Sequence, residues 1–193
     1  MKSGERVEFD ILVLAVGVRP NTELVGEAGG EVGRGITVTE KMETSLPGIF
    51  AAGDCTEGYD AVLGERRVLA LLPNAYMQGQ CAGVNMAGGE RIFDSAIAMN
   101  SIGFFGLHMM TAGCCDGEMS EEKDGGAIRR FFVKDGLLRG YILIGQTDRA
   151  GIYTALIREK TPLDTVDFEL TKKAASNLIF SEKIRKKKFG GIE

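Results

Sequence analysis

Two continuous apolar runs near the start of the chain predict buried strands. Residues 11–16 read ILVLAV between Asp10 and Gly17, and residues 49–52 read IFAA and end at Gly53. An apolar run without polar alternation is typical of a strand buried on both faces of a parallel sheet. We also expect a short helix over residues 23–28, capped by Asn21 or Thr22, and a short strand over residues 36–38.

A longer helix is predicted over residues 74–87. The apolar run at residues 68–72 leads to Pro73, which suits the first turn of a helix, and Gly88 ends the pattern. Small residues recur in this segment at helical spacing, and we expect them to form one narrow face that allows close packing. These residues are Ala75, Gly79, Ala82 and Gly83.

The second half of the chain has a different pattern, dominated by strands. Residues 96–107 and 109–115 predict strands, and Asp135-Gly136 predicts the two-residue turn of a hairpin formed by residues 129–134 and 137–144. Helices are expected over residues 150–158, capped by Asp148, and over residues 171–188. We therefore predict a partial α/β Rossmann-like domain over residues 1–92, followed by a small α+β domain over residues 93–193.

Composition and charge exclude several classes of protein. The 193 residues are 44% hydrophobic and 26% charged with a net charge of −4, which predicts a globular protein and disfavours nucleic-acid binding. No apolar run is long enough to span a membrane, and the N-terminus lacks a signal core, so we expect a cytoplasmic protein. Four cysteines without a CxxC pair and one histidine predict no metal site.

The charge is unevenly distributed along the chain. Residues 171–193 carry a net charge of +5, which leaves −9 on residues 1–170. Such a basic tail could dock an acidic redox protein by charge complementarity, or it could be a solvated terminus.

The segment with the clearest chemical pattern is residues 44–55, in which a predicted strand runs directly into Gly53 and Asp54. In open α/β sheets ligands bind at the carboxyl ends of strands, and a carboxylate there can accept hydrogen bonds from sugar hydroxyls. The same pattern also occurs in an ordinary Gly-Asp turn, so the spacing alone leaves both interpretations open.

Several segments together resemble the pyridine nucleotide-disulfide oxidoreductases. Residues 44–54 resemble the family's second flavin-binding signature, an apolar strand ending Ala-x-Gly-Asp, and residues 14–21 (LAVGVRPN) are similar to its apolar-Gly-x-x-Pro-Asn segment. Residues 33–38 fit between them, and the similarity continues through residues 73–88, 99–102 and 148–154. The pattern is most similar to rubredoxin reductases, the flavin part of nitrite reductase large subunits and NADH oxidases.

This resemblance implies roles for particular residues toward FAD. Asp54 would bind a ribityl hydroxyl, and Gly53 would let the diphosphate approach the backbone. The helix that opens at Pro73, Asn74 and Ala75 would direct its N-terminus at the pyrimidine edge of the flavin, where reduction leaves negative charge. Gly17 would lie near the cofactor as the chain crosses between domains. NAD(P)H would be the electron donor of the whole enzyme.

The sequence departs from the family by lacking any G-x-G-x-x-G loop; the nearest match, at Gly33 and Gly35, has Val38 three positions further on. We therefore expect the C-terminal part of a flavoprotein, partnered by the missing FAD and NAD domains, that alone binds FAD weakly and is inactive. A homo-oligomer is expected, since an incomplete sheet would expose an edge. The alternative is a non-catalytic dimerisation or partner-docking module without flavin.

No catalytic residue is predicted. His108 has no partner of the His-x-x-x-x-Glu kind that disulfide reductases carry, so we expect a structural role for it. Cys114 and Cys115 are either a redox pair or two strand residues facing opposite sides, with the second favoured. Cys55 and Cys81 are expected to serve packing.

Overall fold

The computed structural model describes residue 4 and residues 6–173. The helices are α1 (Glu23–Glu27), α2 (Leu72–Met86), α3 (Ala150–Arg158) and α4 (Phe168–Lys173), with a 3-10 turn at Leu163–Thr165. The strands are β1 (Ile36–Thr37), β2 (Thr56–Asp60), β3 (Glu65–Arg67), β4 (Met99–Phe104), β5 (Leu107–Gly113), β6 (Glu118–Asp124), β7 (Ala127–Lys134) and β8 (Leu137–Ile144). The predicted mixture of helices and strands is confirmed, whereas most of the helix expected over residues 171–188 lies outside the described residues.

The first part of the chain forms a small sheet of order β1-β2-β3, in which β2 pairs with β1 in parallel and with β3 antiparallel. Helix α2 packs beside it through Cys81 and Ala82, which join Val38 and Met42 in one apolar core. Phe93 extends this core beyond the helix. The packing fixes α2 against the turn that leads into β2.

The second part is an antiparallel sheet of order β4-β5-β8-β7-β6. The β7–β8 hairpin confirms its prediction, with φ of 52° at Asp135 and 70° at Gly136, as a two-residue turn with left-handed residues requires. Helix α3 has its predicted bounds and packs Leu156 against the sheet, where Phe131 and Leu143 are fully buried.

Strand β6 was not predicted, because its sequence EMSEEKD is too polar to resemble a strand. It is an edge strand, and its charges pair with its neighbour: Glu121 lies 2.6 Å from Arg130 and Glu122 lies 3.3 Å from Arg129. Cross-strand ion pairs replace the apolar alternation that marks a buried strand.

The two parts of the chain share a core. Ala61 and Val62, which follow β2, pack into the apolar cluster beneath the five-stranded sheet. The Ala61 N–H donates to the carbonyl of Ala96 at 2.8 Å, and Arg139 of β8 donates to the carbonyl of Val62. A separate domain beginning at residue 93 therefore stays a prediction.

The strand predicted over residues 11–16 is wrong. These residues have no regular secondary structure and are exposed, Ile11 by 82% and Val16 by 90%. A strand buried on both faces needs neighbours on both edges and a layer on each face, and no strand of the described residues pairs with this run.

The strand predicted over residues 49–52 is also wrong, apart from one bridge between Phe50 and Glu43. Its backbone folds back on the residues just before it: the Thr44 N–H donates to the carbonyl of Ile49 at 2.9 Å, and the Ala51 N–H donates to that of Met42 at 3.1 Å. These local bonds replace a parallel ladder.

The small-residue face predicted for α2 is confirmed only at Ala82, which is buried. Gly79 and Gly83 are exposed, with open space where a side chain would be, whereas the buried positions are Asn74, Gln78, Cys81 and Ala82. Small size allows close packing but does not require it.

Smaller differences concern caps and turns. Thr22 occupies the cap position of α1 without a side-chain hydrogen bond, and α3 is preceded by Arg149 in a left-handed conformation in place of an Asp148 cap. The turn between β4 and β5 falls at Phe105. Strand β5 ends at Gly113, so Cys114 and Cys115 follow the strand and do not lie within it.

Candidate functional site

The Gly-Asp segment singled out in the sequence forms a tight turn before β2. Gly53 has a φ of +92°, a conformation that only glycine adopts readily. Its carbonyl accepts hydrogen bonds from the Thr56 N–H at 3.0 Å and from the Thr56 hydroxyl at 2.7 Å. A Cβ built on Gly53 would lie 3.7 Å from the Cβ of Ala75, so the turn lies against the start of α2.

Asp54 follows in this turn and is exposed. Its carboxylate has no hydrogen bond or ion pair with another residue of the described chain. An ionised carboxylate only accepts hydrogen bonds, so its oxygens are available to hydroxyl or N–H groups of a ligand.

The N-terminus of α2 supplies a donor beside this acceptor. The Ala75 N–H bonds to the carbonyl of Leu71 at 3.0 Å, which leaves the N–H groups of Leu72 and Asn74 without an intrahelical acceptor, and Pro73 has none. Leu72 is 84% exposed, so this end of the helix is open to solvent. A fifteen-residue helix also carries a partial positive charge at this end. The site therefore combines a carboxylate acceptor with the exposed Leu72 N–H and the positive end of a helix.

The side chain of Asn74 does not face this surface. It is fully buried, and its Nδ2 donates to the carbonyl of Ile97 at 3.0 Å. The whole residue is buried, so Asn74 ties α2 to the segment that leads into β4 and presents no donor to solvent.

Gly17 is not brought together with these residues. It is exposed with a φ of +88°, and no atom lies within 4 Å of the position that a Cβ would occupy. Its predicted place near a cofactor is untested.

Sequence reasoning gave no role to Gln78. The residue is 4% exposed, and its Oε1 accepts a hydrogen bond from the Gly53 N–H at 2.7 Å. It also lies 3.1 Å from the Thr56 hydroxyl, whose single proton is shared with the Gly53 carbonyl. The signal was present in the spacing: Asn74 and Gln78 are four residues apart, and Cys81 and Ala82 continue the same face. Buried amides require internal partners, and the Oε1 of Gln78 and the Nδ2 of Asn74 have them.

The glycine loop at residues 33–35 already holds an anionic group. The Arg34 and Gly35 N–H groups donate to Oε2 of Glu57 at 2.7 and 3.1 Å, and a Cβ on Gly33 would lie 2.6 Å from the same oxygen. The loop thus binds a carboxylate of its own chain.

The cysteines are free thiols. Cys81 is buried, its thiol lies 3.2 Å from the carbonyl of Arg91, and burial raises its pKa. Cys55 packs against the core around α2, as expected, and Cys115 is exposed. Within residues 6–173, no three His, Cys, Asp or Glu side chains are grouped to hold a metal ion. No helix in the described part of the chain is long and apolar enough to cross a membrane.

Comparison with known proteins shows which family the first part of the chain resembles. The family model for pyridine nucleotide-disulphide oxidoreductases matches residues 1–79. Residues 1–79 of the chain are therefore similar to this family. The resemblance inferred from the motifs is confirmed.

Individual relatives cover different parts of the chain. The epsilon subunit of NADH-dependent phenylglyoxylate dehydrogenase from Aromatoleum evansii is 30% identical over 172 residues, 84% of this chain and 41% of the relative. An NADH oxidase from Methanocaldococcus jannaschii is 44% identical over 91 residues, 47% of this chain and 20% of the relative. This chain therefore spans less than half the length of these curated relatives.

A solved structure shares the fold. The FAD-dependent pyridine nucleotide-disulphide oxidoreductase from Desulfovibrio vulgaris matches with a TM-score of 0.73 and 24% identity, over 89% of this chain and 49% of that one. This similarity concerns the fold alone.

Proposed function

We propose that this chain supplies one side of the FAD site of an NAD(P)H-dependent flavin oxidoreductase. The observation that carries the proposal is the Gly53–Asp54 turn lying against the first turn of α2. The match of residues 1–79 to the family model, with relatives named for NADH-dependent activities, supports it.

The residues of the turn fit FAD. Gly53 presents backbone without a side chain, and the unpaired Asp54 carboxylate can accept a hydrogen bond from a ribityl hydroxyl. The N–H of exposed Leu72 and the positive end of α2 can stabilise negative charge on the pyrimidine edge. FAD, when bound, takes hydride from a reduced nicotinamide and passes the electrons to an acceptor.

The other side of the site has to come from residues outside this chain. The 193 residues contain no G-x-G-x-x-G loop, and the glycine loop at residues 33–35 is filled by Glu57. Leu72, Tyr76 and the run at residues 11–16 are exposed apolar surface, as expected of a face that a further part of a flavoprotein covers. This chain alone is therefore proposed to bind FAD weakly and to be inactive.

The test is an NMR titration of the 15N-labelled chain with FAD up to millimolar concentration. We expect saturable shifts at the amides of Gly53, Asp54 and Ala75. Asp54→Ala should weaken the binding by roughly ten- to hundredfold, since a hydrogen bond to a charged group contributes about 1.5–3 kcal/mol.

The matched control is Asp124→Ala, which removes another exposed carboxylate, on the last residue of β6 next to the hairpin turn. It should leave the FAD shifts unchanged. Shifts scattered over the five-stranded sheet, or none at all in a folded chain, would refute the proposal and favour a docking module without flavin.

A further inference from the structure

Gln78 lies where the two halves of the proposed FAD site meet. The turn at Gly53 supplies the acceptor and the start of α2 supplies the donor, so their relative position decides whether one ligand reaches both. Among the described residues, the turn is joined to α2 through Oε1 of Gln78, which accepts the Gly53 N–H at 2.7 Å and shares the Thr56 hydroxyl proton at 3.1 Å.

The helix is itself fixed further along. Asn85 donates to the carbonyls of Lys41 and Arg91, both at 2.8 Å, and accepts from the Arg91 N–H at 2.7 Å. Cys81 is fully buried in the core beside the small sheet. Gln78 therefore projects from a helix that is already anchored, and it can act as a rigid reference for the turn.

The Gly53 conformation makes this contact specific. With φ at +92°, the Gly53 N–H points to the helix while its carbonyl is taken up within the turn by Thr56. The Gln78 carbonyl accepts the Gly53 N–H, and it also lies 3.1 Å from the Thr56 hydroxyl, whose single proton it shares with the Gly53 carbonyl at 2.7 Å. Its Nε2 lies 3.5 Å from the Cβ position of Gly58 on β2, so the amide packs between turn and strand.

We infer that Gln78 is a positioning residue that holds the Asp54 carboxylate in register with the N-terminus of α2. The inference rests on the proposed function for its link to FAD. Without this amide, the turn keeps its internal bonds to Thr56 but loses its hydrogen bond to the helix, and Asp54 moves relative to the donor.

The experiment compares Gln78→Leu, Gln78→Glu and wild type by amide exchange and by the FAD titration. In Gln78→Leu the exchange of the Gly53 N–H should accelerate about tenfold, as expected when an N–H loses its acceptor, and FAD affinity should fall by a similar factor. Gln78→Glu keeps an acceptor oxygen at the same position and should restore both. The control Gln80→Leu changes an exposed glutamine on the same helix and should alter neither.

A second measurement needs no variant. Wild-type chain should show a through-hydrogen-bond coupling between the Gly53 nitrogen and the side-chain carbonyl carbon of Gln78. This keeps the inference open to refutation even where Gln78→Leu does not fold. Absence of the coupling, together with the exchange rate of a free amide at Gly53, would overturn it.

The outcomes separate the two proposals. Unchanged Gly53 exchange in folded Gln78→Leu overturns the role of Gln78, as does unchanged FAD affinity in that variant when the wild type binds. If wild type binds no FAD, the proposed function fails. The exchange rate of the Gly53 N–H and the amide chemical shift of Asp54, compared between wild type and Gln78→Leu without FAD, then still decide whether Gln78 holds the turn.

Discussion

Replacing Gly53 by alanine tests the geometry of the turn directly. At a φ of +92° an L-residue is strained, and the left-handed conformation costs roughly 1–2 kcal/mol per residue. The added methyl would lie 3.7 Å from the Ala75 Cβ, an ordinary van der Waals contact, so steric overlap adds nothing further. We expect Gly53→Ala to lower the free energy of unfolding by about 1–2 kcal/mol, roughly a 5- to 30-fold change in the unfolding equilibrium.

The same helix offers a control of opposite sign. Gly79 lies within α2, is exposed and has open space at its Cβ position, so Gly79→Ala should stabilise the chain by roughly 0.5–1 kcal/mol. The chain has no tryptophan, so urea unfolding is best followed by far-ultraviolet circular dichroism. A neutral or stabilising Gly53→Ala, with Gly79→Ala behaving as expected, would show that the turn does not require a left-handed residue.

Two further predictions concern the thiols and an ion pair. At pH 8 a thiol reagent should modify exposed Cys115 well before Cys81, because burial raises the pKa of the Cys81 thiol and lowers its thiolate fraction. Mass spectrometry of timed samples measures both rates, and equal rates would contradict the buried position of Cys81. Hydrogen bonds from Lys123 and Arg130 lower the pKa of Glu121, so Glu121 stabilises the fold above its unfolded pKa, and that contribution is lost as the pH falls through the lowered value. Glu121→Gln should therefore reduce stability at pH 7 but not at the acid end of a series of urea unfolding curves, and a difference independent of pH would rule out this cause.

Local signals predicted the parts of the fold that depend on local interactions. The Asp135-Gly136 turn needs left-handed residues, and the apolar face of α3 repeats at helical spacing, so both can be read from a few neighbouring residues. The strand predicted over residues 11–16 is wrong because burial also requires neighbouring strands and covering layers, and the described residues provide none for this run. Strand β6 was missed for the opposite reason, since its charges find partners on the next strand.

The candidate site was predictable in its parts but not in its connections. The motif resemblance pointed to Gly53, Asp54 and the start of α2, and the structure brings the turn and the helix together. That these residues hold FAD stays a prediction. The amide of Gln78 was missed because its partners are 22 and 25 residues away, a distance that no local pattern reveals.

The packing of Ala61 and Val62 beneath the five-stranded sheet has a practical consequence for dividing this protein. A fragment that begins at residue 93 would lack Ala61 and Val62, which leaves cavities against its five-stranded sheet. Arg139 would also lose the Val62 carbonyl as a hydrogen-bond acceptor. The apolar side chains that Ala61 and Val62 cover would then be exposed to solvent. A boundary at residue 92 separates residues that pack in the same core. A fragment that contains the five-stranded sheet should therefore also include the residues that follow β2.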